Sequence, residues 1–126
     1  MIQSVHSILF VSDPDLSRDF YRRVLECEPC LDVPGMTEFP LSSGCRLGLM
    51  PVAGARRLLA LDVPEQPEVA RAELYLYVDR PQAYLQRALE AGGQLVSPLS
   101  LRNWGDEAGY VLDLDGHLLA FACPPQ

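Results

Sequence analysis

The sequence predicts an α+β fold in which one βαβββ unit is written twice. Three observations carry this. A β-rich run followed by a polar residue and a helix-starting proline occurs near residue 14 and again near residue 81. Each helical stretch that follows leads into three short strands separated by turn residues. The two copies also align: Pro14 with Pro81 at an offset of 67 residues, and Gly44 with Gly116 at 72.

Val5 to Val11 reads Val-His-Ser-Ile-Leu-Phe-Val, a strand by its β-branched and aromatic content. Ser12-Asp13-Pro14-Asp15 then supplies a polar cap and a proline at the first helical turn. Leu16, Phe20, Val24 and neighbouring Leu25 recur at helical spacing, with Arg18, Arg22, Arg23 and Glu26 opposite. Strands are expected at about 29–33, 36–41 and 45–51, with turns at Pro34-Gly35 and Ser42-Ser43-Gly44. In the second copy, Glu73 to Val78 is the strand and Asp79-Arg80-Pro81 repeats the cap. Leu85, Ala88 and Leu89 continue helically, and Gly92-Gly93 supplies the left-handed stop. Strands follow at about 94–99, 108–114 and 117–123, with a turn at Asp115-Gly116. The five-residue difference in offset is assigned to a longer loop near 100–107. The chain is thus one domain over 1–126: module one about 1–51, a connecting segment 52–71, and module two 72–126. Within the connection, Leu58-Leu59-Ala60-Leu61 is expected to add an edge strand or to cover a cavity mouth.

Composition narrows the function classes. Apolar residues at 48% against charged residues at 21% are globular proportions. About two-thirds of the surface is buried at this size, enough for a core without metal or disulfide staples. A net charge of −7 repels nucleic-acid phosphates and anionic membranes, so neither partner is expected. The opening residues lack the charged and apolar regions of an export signal, and no run reaches a membrane-spanning length. A cytoplasmic location follows as the expectation, with Cys27, Cys30, Cys45 and Cys123 as free thiols. Cys27-Glu28-Pro29-Cys30 has suggestive spacing but no second ligand pair, and it follows a helix rather than starting one. Glycine-rich phosphate loops and a nucleophile elbow are absent from the sequence.

Strand alternation assigns faces. His6, Ile8 and Phe10 lie opposite Ser7, Leu9 and Val11, while Glu73, Tyr75 and Tyr77 lie opposite Leu74, Leu76 and Val78. The aliphatic sides are expected to carry the helices. In the closing strands, Leu47, Leu49, Leu119 and Phe121 pack on helices; Arg46, Gly48 and Met50, and Leu118, Ala120 and Ala122, turn the other way. Small residues at Gly48, Ala120 and Ala122 are expected to leave volume for a pocket with aromatic walls.

The segment HSILFVSDPDLSRDFYRRVL, within Ser4 to Pro29, and WGDEAGYVLDLDGHLLAF, from Trp104 to Phe121, together resemble the vicinal oxygen chelate superfamily. That superfamily includes glyoxalase I, extradiol dioxygenases, and the bleomycin-, mitomycin- and fosfomycin-resistance proteins. Leu114 stands where the usual closing turn, aspartate-proline-aspartate-glycine, has its proline. The resemblance implies two βαβββ modules curling into an open, barrel-like mixed sheet with helices outside, assembled as a homodimer. It also implies metal-ligand positions in the metal-dependent members. Carried over, these fall on His6 and Glu73 in the first strands and on Gly48 and Ala120 in the last. The position matching Ala120 is a glutamate in those metalloenzymes, and neither alanine nor glycine has a donor atom. Catalytic divalent sites need about three protein ligands, so no metal and no cofactor is expected, with His6 and Glu73 as the ligands if one binds.

His6 and Glu73 are then expected to pair across the modules, or to anchor a ligand. Phe10, Tyr75, Tyr77, Trp104 and Tyr110 are candidate walls, as is Met50. Trp104 is the most pointed, because it sits in the polar loop Arg102-Asn103-Trp104-Gly105-Asp106, and the resistance branch of the family has a matching tryptophan-glycine pair lining its ligand. Aromatic walls with Glu73 suit a planar or cationic ligand; Arg46 suits an anion. His117 beside the closing turn is expected at the surface or facing a helix. The reading is a small-molecule-binding protein with no assigned catalytic residue. Its alternatives are a metal-dependent lyase, isomerase or dioxygenase, and a dimeric accessory module with a vestigial pocket.

Overall fold

A computed structural model describes residues 1–65 and 69–125. Apart from the helix Val52–Leu59, which the sequence does not lead one to expect, the elements follow the expected order: β1 Val5–Val11, α1 Pro14–Leu25, β2 Leu31–Val33, β3 Met36–Pro40, β4 Cys45–Pro51, α2 Val52–Leu59, β5 Glu73–Tyr77, α3 Pro81–Glu90, β6 Gln94–Leu101, β7 Glu107–Leu112 and β8 Leu118–Cys123. They divide into two compact units, each holding an open four-stranded mixed sheet, with α2 and most of α1 in the first and α3 in the second. Strand order is β1-β4-β3-β2 in the first and β5-β8-β7-β6 in the second. Each sheet pairs its first and last strands in parallel and the others antiparallel, so the βαβββ unit occurs twice.

In the first unit, Asp13 caps α1 by accepting from the amides of Asp15 (3.1 Å) and Leu16 (3.2 Å), with Pro14 at the first turn. The buried stripe of this helix is Ser17, Phe20, Tyr21 and Val24. Leu16, expected inward, is 58% exposed, because the 17-20-21-24 spacing completes the inner face without it. Tyr21 meets Phe39 with ring centroids 6.4 Å apart, and Leu47 and Leu49 are fully buried. The connecting segment forms no edge strand among its described residues. Its first part is helix α2, which buries Val52 and Ala55 one turn apart, while Leu58, Leu59 and Leu61 stay exposed. Residues 66–68 of the connection lie outside the described residues.

In the second unit, α3 begins at Pro81 with Arg80 as its cap residue, and no side chain caps it. The repeated cap-and-proline signal is therefore one residue out of phase here: Asp79 precedes the cap, whereas Asp13 is the cap. Leu85 and Ala88 are buried, and Tyr84 stacks on Phe121 at 5.3 Å. Gly92 ends the helix at φ +105, the left-handed geometry its sequence position predicts. The extra length of this copy is shared. Residues 102–106 form a closed turn, with the Arg102 amide donating to the Asp106 carbonyl at 2.8 Å. Two register shifts in β6, between Leu95 and Ser97 and between Ser97 and Ser100, absorb further residues as bulges. The closing turn, with Leu114 in it, is held by Asp113, whose Oδ1 accepts from the amides of Asp115 (2.9 Å) and His117 (2.8 Å).

Candidate functional site

In the second unit, register pairing places Tyr75 of β5, Ala120 of β8 and Tyr110 of β7 in one row, and Tyr77, Ala122 and Ala108 in the next. Residues opposite each other in a ladder share a face. This face is the one away from the α3 side marked by Leu119 and Phe121. The expectation that Ala120 and Ala122 leave open volume is corrected: both, with Ala108, are fully buried, and the aromatic rings stand at the margin of this packed patch.

The rings are fixed by a residue that sequence reasoning passed over. Asp106, 5% exposed, accepts the Tyr75 phenol at 2.7 Å and the Tyr77 phenol at 2.6 Å on the same oxygen, Oδ2. Trp104 donates its indole N–H to Tyr75 Oη at 3.0 Å. Tyr75 and Tyr77 meet edge to face at 5.4 Å, and Tyr75 and Trp104 are tilted at 6.5 Å. The bonds from Tyr77 first and Tyr75 second hold the Asp106 carboxyl below its ordinary range against the opposing effect of burial. In return the bond to Asp106, with desolvation second, pushes the Tyr77 phenol up to about 12. Desolvation first, and the bond to Asp106 after it, raise Tyr75, with the Trp104 bond working the other way.

Arg102 braces the same loop. Its Nε and Nη2 donate to the Ala108 carbonyl at 3.0 and 2.8 Å, and Nη2 also reaches Pro98 O and Ser97 Oγ at 2.8 and 3.0 Å. These bonds satisfy polar groups around the β6 bulges, and the guanidinium lies 5.0 Å from the centroid of the Tyr110 ring. The turn that carries Trp104 is thus held at one end by the Arg102 guanidinium and at the other by the Asp106 carboxylate. Tyr77 and Trp104 remain 63% and 58% exposed, so their rings are open to a ligand. Glu73, on the same face of β5, is exposed.

In the first unit, His6 and Arg46 are register partners on β1 and β4, and Phe10 and Met50 form a second pair farther along. The carboxylate beside His6 is Glu38 of β3. Its Oε1 accepts from Arg46 Nη1 at 2.9 Å, and its Oε2 lies 3.8 Å from His6 Nδ1. The expectation that Gly48 leaves open volume is corrected: a side chain there would collide with Ile8 Cδ1 and approach Met36 Sδ at 3.2 Å. The space is filled by Ile8 leaning across the glycine.

The donor set does not fit a divalent cation. Gly48 and Ala120 offer no donor atom, and the carboxylate nearest His6 is already neutralised by Arg46. Among the described residues no three His, Cys, Asp or Glu side chains converge on one point.

The duplicated unit has clear relatives. The chain matches the Glyoxalase/Bleomycin resistance protein/Dioxygenase superfamily over residues 3–121, and it belongs to that superfamily. A glyoxalase-related enzyme from Fulvimarina pelagi is 25% identical, with a TM-score of 0.85 over 98% of this chain and 88% of that one. A hypothetical protein from S. aureus shares 22% identity at a TM-score of 0.81, over 98% of this chain and 94% of its own. A glyoxalase/bleomycin resistance protein/dioxygenase family enzyme from Burkholderia phytofirmans PsJN is 16% identical at 0.80, covering 94% and 95%. No curated protein matches the chain.

Proposed function

We propose that this protein is a small-molecule-binding member of its superfamily, which takes a planar ligand against the aromatic face of its second unit and uses no metal. The observation that carries the reading is the buried Asp106 holding two tyrosines, one of which holds Trp104, while Tyr77 and Trp104 stay exposed. Two exposed rings anchored to a buried carboxylate lose little freedom when a ligand stacks on them, because their rotamers are already fixed. The missing donors at Gly48 and Ala120 support binding without a metal. His6, Arg46, Phe10 and Met50, on the open face of the first sheet, are proposed as further ligand contacts. A cytoplasmic homodimer is the proposed working form.

A thermal-shift screen of planar small molecules and of divalent Ni, Zn, Fe and Mn salts tests this directly, because any ligand of the native state raises apparent stability. The expected result is a shift from one or more organic compounds, reduced by Trp104→Ala, and none from the metals. A metal-dependent shift lost in His6→Ala contradicts the proposal and favours the metalloenzyme alternative.

A further inference from the structure

We infer that the Tyr75–Tyr77–Trp104 face selects a ligand carrying a positively charged N–H group, a protonated amine or amidine on a planar framework. This rests on the aromatic face being the ligand site, as proposed above, and follows from where the cluster's polar hydrogens go. Tyr75 and Tyr77 each own one O–H, and both are donated to Asp106 Oδ2. Trp104 owns one N–H, and it is donated to Tyr75 Oη. None of these three side chains has a polar hydrogen left for a ligand. Each phenol oxygen still has lone-pair capacity, and Tyr77 carries it on a ring 63% exposed. The face therefore offers acceptors and π-surfaces and withholds donors.

Such a face discriminates by hydrogen-bond sign. A carboxylate or phosphate finds no side-chain donor among the three rings and meets the Asp106 charge behind them. A cation without N–H gains only the ring faces. A protonated amine or amidine gains the rings and also donates to the Tyr77 oxygen, a charge-assisted bond stronger than a neutral one. Of the two ligand charges that the sequence leaves open, this hydrogen bonding favours the cation.

Trp104 is the sole tryptophan, so its fluorescence reports on this face alone. Three aryl probes of similar size separate the contributions: benzamidine, protonated at neutral pH; benzyltrimethylammonium, a cation without N–H; and benzoate. The expected order is benzamidine tightest, benzyltrimethylammonium weaker by about tenfold, and benzoate weakest, as one charge-assisted hydrogen bond requires. Tyr77→Phe keeps the exposed ring but removes its acceptor, so the gap between the two cations should narrow. Asp106→Asn removes the negative charge behind the rings, so the preference for benzamidine over benzoate should fall. Equal binding of all three probes, or tighter binding of benzoate, overturns the selectivity and leaves the aromatic site standing. If the probes leave Trp104 fluorescence unchanged while another compound saturates it, the selectivity is likewise overturned. If no compound perturbs it at all, the site reading beneath it is overturned instead.

Discussion

Asp106 is the residue on which the local chemistry turns. Its carboxyl is held below the ordinary value of 3.8 by the Tyr77 and Tyr75 bonds. A lowered folded-state pKa means stabilisation that is full above the unfolded value and lost as pH falls through the folded one. Thermal unfolding of the wild type and of Asp106→Asn should therefore differ most near neutral pH, and the gap should close in acid. A pH-independent gap contradicts the assignment. Tyr77 gives the opposite sign: with its phenol raised from 10.0 to about 12, its contribution is full below pH 10 and lost as pH rises through about 12. Phenolate absorbance should show a tyrosine titrating near 12, moving down toward 10 in Asp106→Asn. Little of this is legible in the sequence. Alternation places Tyr75 and Tyr77 on one face, and Trp104 stands out in a polar loop. Asp106 does not, because an acid in a turn obeys no periodicity. The available signal is two tyrosines on one face, each needing a hydrogen-bond partner, beside an acidic loop. His6 shows the same limit, since its neighbour Glu38 lies on a strand whose register the sequence does not give.

At the scale of elements, turn and cap chemistry is more legible than interior contacts. Asp13, Pro14, Pro81 and Gly92 fix backbone geometry through their own side chains or lack of them, so local sequence suffices. Helix α2 is hidden in the sequence because Pro51 and Gly54 read as a linker and only Val52 and Ala55 are buried on it; tertiary contact, not propensity, makes it a helix. Replacing Asp13 with alanine should cost about 1 kcal/mol in chemical denaturation, the usual worth of an N-cap. Glycines test the packing. A methyl at Gly93 would sit 2.8 Å from the Ala88 carbonyl oxygen and 2.9 Å from that of Leu112, both backbone atoms unable to step aside. At Gly48 it would meet the flexible ends of Ile8 and Met36. Gly93→Ala should lower stability by roughly 1–3 kcal/mol, and Gly48→Ala by clearly less. Equal costs would mean that Ile8 is not free to move.

For the whole molecule, duplication is legible in the amino-acid order alone, because both copies carry the same punctuation at matching offsets. Their divergence is what builds the proposed site. The first copy closes β2 and β3 with the short Pro34-Gly35 turn; the second inserts bulges and the 102–106 turn, and with them Arg102, Trp104 and Asp106. One scaffold thus presents a polar His6–Glu38–Arg46 group on one sheet and a hydrogen-bonded aromatic group on the other. The most direct measurement is a crystal structure of the protein with the most strongly stabilising small molecule from the thermal screen. Density for that compound stacked on Trp104 and Tyr77, with Asp106 still bridging the tyrosines, is the predicted result. The compound bound elsewhere with these rings bare, or a cation coordinated by His6 in its place, would contradict the account.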